Sequence, residues 1–553
     1  MHIDLSTGEA PERLENQVCI IGAGAAGIIM ARRLLASGCS VLLLESGGLD
    51  YERDTAALNA GENAGEEYYD LEDSRLRFFG GTTAIWGGRC AELSSIDLAR
   101  RAWVPHSGWP ISYAELTHYY REARSLFGLP KRIMQAQELR VAGVPLPDFA
   151  PEKIDTPLWN FDNKFDRFSF PNCADLVEHP KCIVLTHATV TEIRLAEDGN
   201  SVASLDAADL SGRKISVHAS SYVLATGGIE NARLLLASNS VQQQGVGNGH
   251  DQVGRYFMEH PHARGGRIVG GQAWKLLYAF SRRHRINDRV VAPLVALAPE
   301  LQEAQGLLNT SLTIAGRRSA DGTENWAKRI YLHAKHKASP TKAGRRLWKT
   351  TKLAVHWVQG HTDPLRPWLL HKMGRLDISL VVRAEQAPNP ASRVMLAGER
   401  DVLGVPRVKL DWRTSALDKD SVAGLVAALG AETKRLGIGT VEMASWLKEP
   451  FSGWKTDPLI STHPIGGYHH MGTTRMSASP SEGVTDHLGQ VHGVANLYVA
   501  GSSLFPTSGW ANPTLTIAAL ALRTADYLSN KMLLRGLVAV LFVLTLDQCP
   551  LEV

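Results

Sequence analysis

Val18 to Gly27 reads VCIIGAGAAG, and no other run constrains the fold of this chain as tightly. Val18, Cys19, Ile20 and Ile21 are apolar without polar alternation, the pattern of a parallel strand buried on both faces. Gly22-Ala23-Gly24-Ala25-Ala26-Gly27 follows at once as GxGxxG, and Ala25 to Leu35 has the Ala, Ile and Leu content of a helix. Ser37-Gly38 stops that helix, and Val41 to Leu44 is a second buried strand. In such a βαβ unit Gly22 permits the tight turn, Gly24 lets a pyrophosphate approach the backbone, and Gly27 lets helix and strand pack closely. The helix opening at Ala25 aims free N–H groups at phosphate. Glu45 ends the second strand, with Ser46 beside it, where an acid that holds a ribose 2′-hydroxyl is expected. An acid there argues against NADP. The unit predicts a dinucleotide site without choosing between NAD and FAD.

The chain has 553 residues, length for about three or four domains' worth of structure. Its net charge of +3 builds no field of one sign for nucleic acid. Cys19, Cys39, Cys90, Cys173, Cys182 and Cys549 form no CxxC pair, and the histidines show no HExxH spacing. Neither a disulfide framework nor a metal site is expected. MHIDLSTGEAPERLENQ lacks an apolar secretory core, which gives a cytoplasmic expectation. Gly536 to Leu546 is apolar but shorter than the ~18–20 residues of a spanning helix. It reads as a packed helix or strand, with a shallow membrane anchor as the alternative.

Ile183 to Ile193 and Ile215 to Ala225 read as further strands returning to the nucleotide. From Pro261 the grammar changes: Ser379 to Val382 and Arg393 to Leu396 flank Pro-rich turns, as in an antiparallel sheet. The expected organisation is a discontinuous dinucleotide domain over 1–260 and 461–535, a second domain over 261–460, and an apolar tail over 536–553. Within the second domain, 320–375 is basic and carries Trp326, Trp348, Trp357 and Trp368. Such a segment is either a solvated lid helix or a surface for an anionic membrane or partner.

Tyr222 to Gly228 is another buried strand ending in Thr-Gly-Gly, an element that suits the far side of an extended FAD. With it, the ordered motifs GAGAAG, GGTTAIWGG, YVLATGG, VGRYFMEHP, EQAPNPASRV and YHHMGTTRM…LYVAGSSLFPTSGWANPTLT resemble the glucose–methanol–choline (GMC) oxidoreductases, most of all sugar and polyol dehydrogenases and pyranose oxidases. The resemblance implies an α/β (α+β) fold of p-hydroxybenzoate-hydroxylase-like architecture: a Rossmann-like FAD domain with an antiparallel-sheet substrate domain. It implies that Gly80, Gly81 and Thr82 face the pyrophosphate, that Ile85 and Trp86 approach the isoalloxazine, and that Val190 lies against the adenine. Ala225, Gly227, Gly501 and Ser502 would line the cofactor from the other strands. Pyranose oxidases attach flavin through a histidine in the GGTTAIWGG loop. Ile85 stands at the matching position, so non-covalent FAD is expected.

Alcohol oxidation needs a base for the hydroxyl proton while hydride leaves for flavin N5, and a neutral histidine serves. The family motif Tyr-His-x-x-Gly selects His469, with His470 as the alternative. Asn512 before Pro513 and Thr514 is well suited to cap a helix. The resemblance adds a hydrogen bond from its amide to the substrate hydroxyl, and aims that helix N-terminus at the flavin. His260 and His262 are expected to shape the loop between domains. The implied activity is FAD-dependent oxidation of a sugar, polyol or other alcohol, a dehydrogenase before an oxidase. The acceptor would be oxygen, a quinone or a redox protein, with peripheral membrane contact as a further option. A non-redox lyase on the same scaffold is the alternative.

Overall fold

The computed structural model describes residues 1–162, 164, 166–318, 338, 340–362, 365–457, 460 and 467–546. The apolar runs that flank the glycine turn form the middle of an eight-stranded sheet. Its order is His2–Asp4, Cys182–Thr186, Val41–Leu44, Arg13–Ile21, Lys214–Leu224, Val202–Ala208 and Thr189–Leu195, with Leu497–Val499 also paired to Lys214–Leu224. Val18 opposes both Val41 and Ser221, and Tyr222 opposes Leu497, all in parallel register. Val18, Ile20 and Val41 to Leu44 have no exposed surface, as the unalternated apolar pattern requires. The parallel strands end at one edge, where the chain turns at Gly22, Glu45, Ala225 and Ala500.

Two local features depart from the sequence reading. Cys182–Thr186 and Thr189–Leu195 are separate strands, because His187 turns the chain at φ 54. Its ring holds that turn between Asp4 (2.8 Å) and Glu52 (2.9 Å). The closing helix runs from Thr514 through Leu546, so the apolar tail expected from 536 continues it rather than standing apart. Extending a formed helix costs little per residue, and Gly536 alone does not stop it. No helix among the described residues is long and apolar enough to cross a membrane.

A second sheet has six antiparallel strands in the order Thr440–Met443, His262–Val269, Asp377–Arg383, Ser311–Arg317, Val295–Leu297 and Ile154–Asp155. The helix Ala416–Arg435 lies on it, and a Cβ at Gly265 would come within 2.9 Å of Val426 Cγ2. A small sheet of His284–Ile286, Arg289–Pro293, Leu158–Phe161 and Arg89–Cys90 stands beside it. The described part of the basic segment forms helices Lys342–Thr362 and Leu365–Lys372, with Leu347, Leu353 and Trp357 exposed among the cations. The first residues of that segment and the chain return near Ser461 lie outside the described residues.

One buried ion pair joins the loop after Leu98 to the second sheet. Arg101 reaches Glu385 through both guanidinium ends (2.9 and 2.5 Å), with the two side chains 1% and 0% exposed. The Glu385 carboxylate also accepts the Asn309 N–H at 2.6 Å. Removing the cation leaves a buried charge without compensation, which costs about 3–5 kcal/mol. Arg101→Ala is expected to lower unfolding free energy by that amount in urea titration, and Arg101→Ala with Glu385→Ala should recover part of it.

Candidate active site

The glycines that the sequence singles out occupy distinct environments. Gly22 has φ 105, and a Cβ there would stand 2.6 Å from the Ala225 carbonyl oxygen. At Gly27 a Cβ would stand 2.0 Å from the Gly22 oxygen, so helix and turn touch. At Gly24, by contrast, a Cβ would meet nothing within 4 Å, and the helix Ala25–Ala36 begins there without a side-chain cap. Space and unpaired N–H groups together suit a diphosphate. The loop Gly80-Gly81 closes on this turn: the Gly80 N–H donates to the Ala23 oxygen (2.8 Å), and a Cβ at Gly81 would lie 3.5 Å from the Gly24 Cα.

Other expected contacts gather on the same edge. The Glu45 carboxylate, 6% exposed, accepts the N–H groups of Ala23 (2.9 Å) and Gly47 (3.1 Å), and burial raises its pKa. Ser46 Oγ meets Thr189 Oγ1 at 2.7 Å, which sets Val190 beside the end of the second strand. Ala225 donates to Ile21 O, and Asn231 bonds both Thr226 and Ser503, so the segments carrying Gly227, Gly501 and Ser502 are tied together. Gly227 and Gly501 both have positive φ and open space at the Cβ position. Thr82 Oγ1 accepts the Leu76 N–H, Ile85 ends the short helix Gly81–Ile85, and Trp86 packs its ring on Phe127 at 5.8 Å. The residues present fit an extended FAD.

His469 lies where three distant segments meet. His260 Nε2 is 2.8 Å from the Gly509 carbonyl oxygen, which can only accept, so Nε2 carries the His260 proton. Burial drives the His260 pKa down to about 4, leaving the ring neutral and Nδ1 bare. That lone pair is 2.8 Å from His469 Nδ1, which must therefore be the protonated nitrogen of His469. His469 Nε2 is left as a lone pair, 3.1 Å from Asn512 Nδ2, which donates to it. The carbonyl at 509 thus sets the tautomer of a histidine two residues removed in the hydrogen-bond chain. Thr514 begins the helix, and Pro513 O accepts the Ile517 N–H in its first turn.

The electrostatics keep His469 neutral. Burial lowers its pKa first, and the neighbouring His260, Arg383, His470 and Arg89 lower it further. Its own N–H donates to Glu259 Oε2 (3.1 Å), and Tyr68 OH donates to Glu259 Oε1 (2.5 Å). Burial outweighs these donors and raises the Glu259 carboxyl to about 8. His470 points elsewhere: its ring packs on Phe257 at 5.9 Å, with Nε2 3.7 Å from Glu259 Oε1. Among the described residues no group of three or more histidines, cysteines or carboxylates could hold a metal ion.

His260, Glu259, Arg89 and Arg383 were not singled out for the chemistry by sequence reasoning. The run MEHP marks the first two as a motif, yet nothing local shows that His260 reaches across 209 positions to His469. His262, grouped with His260 in the sequence, instead accepts a hydrogen bond from Arg383 at 2.6 Å.

Buried neutral histidines link stability to pH. His260 and His470 hold pKa values of about 4 and about 3, against ~6.5 unfolded. Below pH 6.5 the unfolded chain binds the additional protons, so stability falls as pH falls, by about 1.4 kcal/mol per unit for each group, until the folded pKa is reached. The Glu259 carboxyl, raised to about 8 in the fold, contributes an opposite slope over the same range, so the comparison is between variant and parent. From pH 6.5 to 4.5 the slope of unfolding free energy against pH should be less positive in His260→Gln by about 1.4 kcal/mol per unit. An unchanged slope in the variant would contradict the burial of a neutral His260.

Comparison with known proteins agrees with this architecture. Residues 17–337 match the family model described as FAD dependent oxidoreductase, and 388–521 match the one described as GMC oxidoreductase. A 2-methyl-1,2-propanediol dehydrogenase of Mycolicibacterium austroafricanum is 22% identical, over 94% of this chain and 96% of that protein. A paromamine 6′-oxidase of Streptomyces fradiae is 25% identical, over 94% and 92%. Among solved structures, a fungal aryl-alcohol oxidase aligns over 95% of this chain and all of its own, with a TM-score of 0.56 and 13% identity, a likeness of fold. The chain that brings a dinucleotide turn and a histidine–asparagine pair together in this way is a member of the FAD-dependent oxidoreductases, in the GMC oxidoreductase family.

Proposed function

We propose that this protein oxidises the CH–OH group of a sugar, polyol or related alcohol to a carbonyl, with His469 as base and Asn512 as the partner that orients the hydroxyl. The 3.1 Å contact between His469 Nε2 and Asn512 Nδ2 carries this reading. An incoming hydroxyl can replace that single contact with two: it donates its proton toward the Nε2 lone pair and accepts from the Asn512 amide. His260 fixes which nitrogen is bare, and Glu259 holds the backbone of His469, so both position the base rather than touch substrate. FAD, when bound, supplies the hydride acceptor. Gly24, Gly81 and the N–H groups opening the helix at Ala25 would hold its diphosphate, and Glu45 its ribose. With an alkyl chain at Ile85, no side chain at that position can bond the flavin, which supports non-covalent attachment. The diol and paromamine substrates in the names of two nearly full-length relatives support a hydroxyl-bearing substrate.

The test is anaerobic mixing of the holoenzyme with a panel of sugars, polyols and aromatic alcohols while flavin absorbance is followed. Bleaching by at least one alcohol is expected. His469→Ala should bleach about 10²–10⁴-fold more slowly with FAD still bound, the range for loss of a general base. Asn512→Ala should slow it as well. Denaturation should release all the flavin into solution. A fully active His469→Ala enzyme would remove the proposed base, and flavin retained on the denatured chain would remove the non-covalent claim.

A further inference from the structure

Most buried arginines of this protein sit on carboxylates, whereas two half-buried ones, Arg89 and Arg383, do not among the described residues. Arg101 binds Glu385, Arg233 binds Asp401, and Arg167 binds Asp162. Arg89 makes no hydrogen bond or ion pair among the described residues, and its guanidinium lies over the Trp159 ring, 4.9 Å from the centroid. Arg383 also lies over Trp159 at 4.9 Å, and its side chain donates to His262 (2.6 Å) and makes no ion pair among the described residues. The Nε atoms of both are buried without a partner. Arg283, over the Phe161 ring at 3.8 Å, adds a third cation with no carboxylate partner among the described residues. These cations oppose one another: Arg89 and Arg317 both push the Arg383 pKa down, beyond what burial does.

A guanidinium cannot shed its charge at physiological pH, so one that is partly desolvated and has no carboxylate partner gains when a counter-ion arrives. Guanidinium forks match oxyanions in geometry as well as charge. The two cations come from different sheets. Arg89 follows the loop that closes on the dinucleotide turn, and Arg383 ends a strand of the second sheet beside His262. Their positive fields both reach His469. Resting on the reading of His469 as the base, we infer that the substrate is an anionic alcohol, whose carboxylate or phosphate is held by Arg383 and Arg89 against Trp159 while its carbinol meets His469. Burying a matched charge there offsets the desolvation of both arginines, and a neutral sugar leaves that cost in place.

Matched pairs test this with the holoenzyme: D-gluconate against D-glucitol, D-glucuronate against D-glucose, and glucose 6-phosphate against glucose. The charged member is expected to reduce the flavin with at least tenfold higher kcat/KM, and the winning pair tells carboxylate from phosphate. Arg383→Gln and Arg89→Gln should each lower the charged-to-neutral ratio at least tenfold, mainly through KM, and Arg383→Lys should restore part of it. A preference for neutral members, a ratio unmoved by either variant, or loss of FAD from Arg383→Gln would overturn the inference. Calorimetric titration of the holoenzyme with D-gluconate and with inorganic phosphate separates this from the proposed reaction. Oxyanion binding that vanishes in Arg383→Gln, without flavin reduction, upholds the site and rejects alcohol oxidation. Reduction by neutral sugars with no oxyanion binding does the reverse, and neither signal rejects both.

Discussion

A hydrogen bond between two neutral imidazoles must run one way, and in this protein a backbone carbonyl decides which. Gly509 O takes the His260 proton, His260 therefore accepts from His469, and His469 is left with a bare Nε2. Reversing the chain would place a lone pair against a carbonyl oxygen, which is repulsive. Adding a proton would bury an imidazolium in the field of Arg383 and Arg89, and burial first and then that field oppose it. The bare nitrogen of His469 is thus set by a backbone carbonyl acting through a second ring.

That arrangement requires the fold to deliver three segments to one place. His260 precedes the strand His262–Val269 of the second sheet, His469 follows the second sheet in the chain, and Gly509 and Asn512 lead into the closing helix. The carboxyl edge of the first sheet provides the turns at Gly22, Ala225 and Ala500. In α/β sheets this edge is where loops leave room for a ligand. The two halves of the site therefore have separate structural origins, and the tertiary pairing of Leu497–Val499 with Lys214–Leu224 brings the C-terminal motif back to the nucleotide turn.

What the sequence made legible was local. GxGxxG between an apolar strand and an Ala-rich helix reports its own geometry, because Gly22 and Gly27 answer contacts with a paired strand and with the turn itself, and Gly24 leaves open space. The helix at Thr514 was equally plain from Asn512-Pro513, whereas its extent was not, since Gly536 stands inside the helix without ending it. The break at His187 was hidden because its cause, ion pairing to Asp4 and Glu52, spans 183 and 135 positions. The same holds for the site. His469 and Asn512 stand in motifs, but the role of His260 depends on a ring contact across the chain. The pair of unpaired guanidiniums has no spacing at all, since Arg89, Trp159 and Arg383 meet only through strand pairing in two sheets.

The most direct measurement is the protonation of the His469 ring itself, by nitrogen NMR of protein labelled at histidine, with His469→Gln used for assignment. At pH 7 the account predicts a pyrrole-type Nδ1 and a bare, pyridine-type Nε2, unchanged when the pH is lowered to 6. A protonated Nε2, or an imidazolium at pH 7, would contradict it.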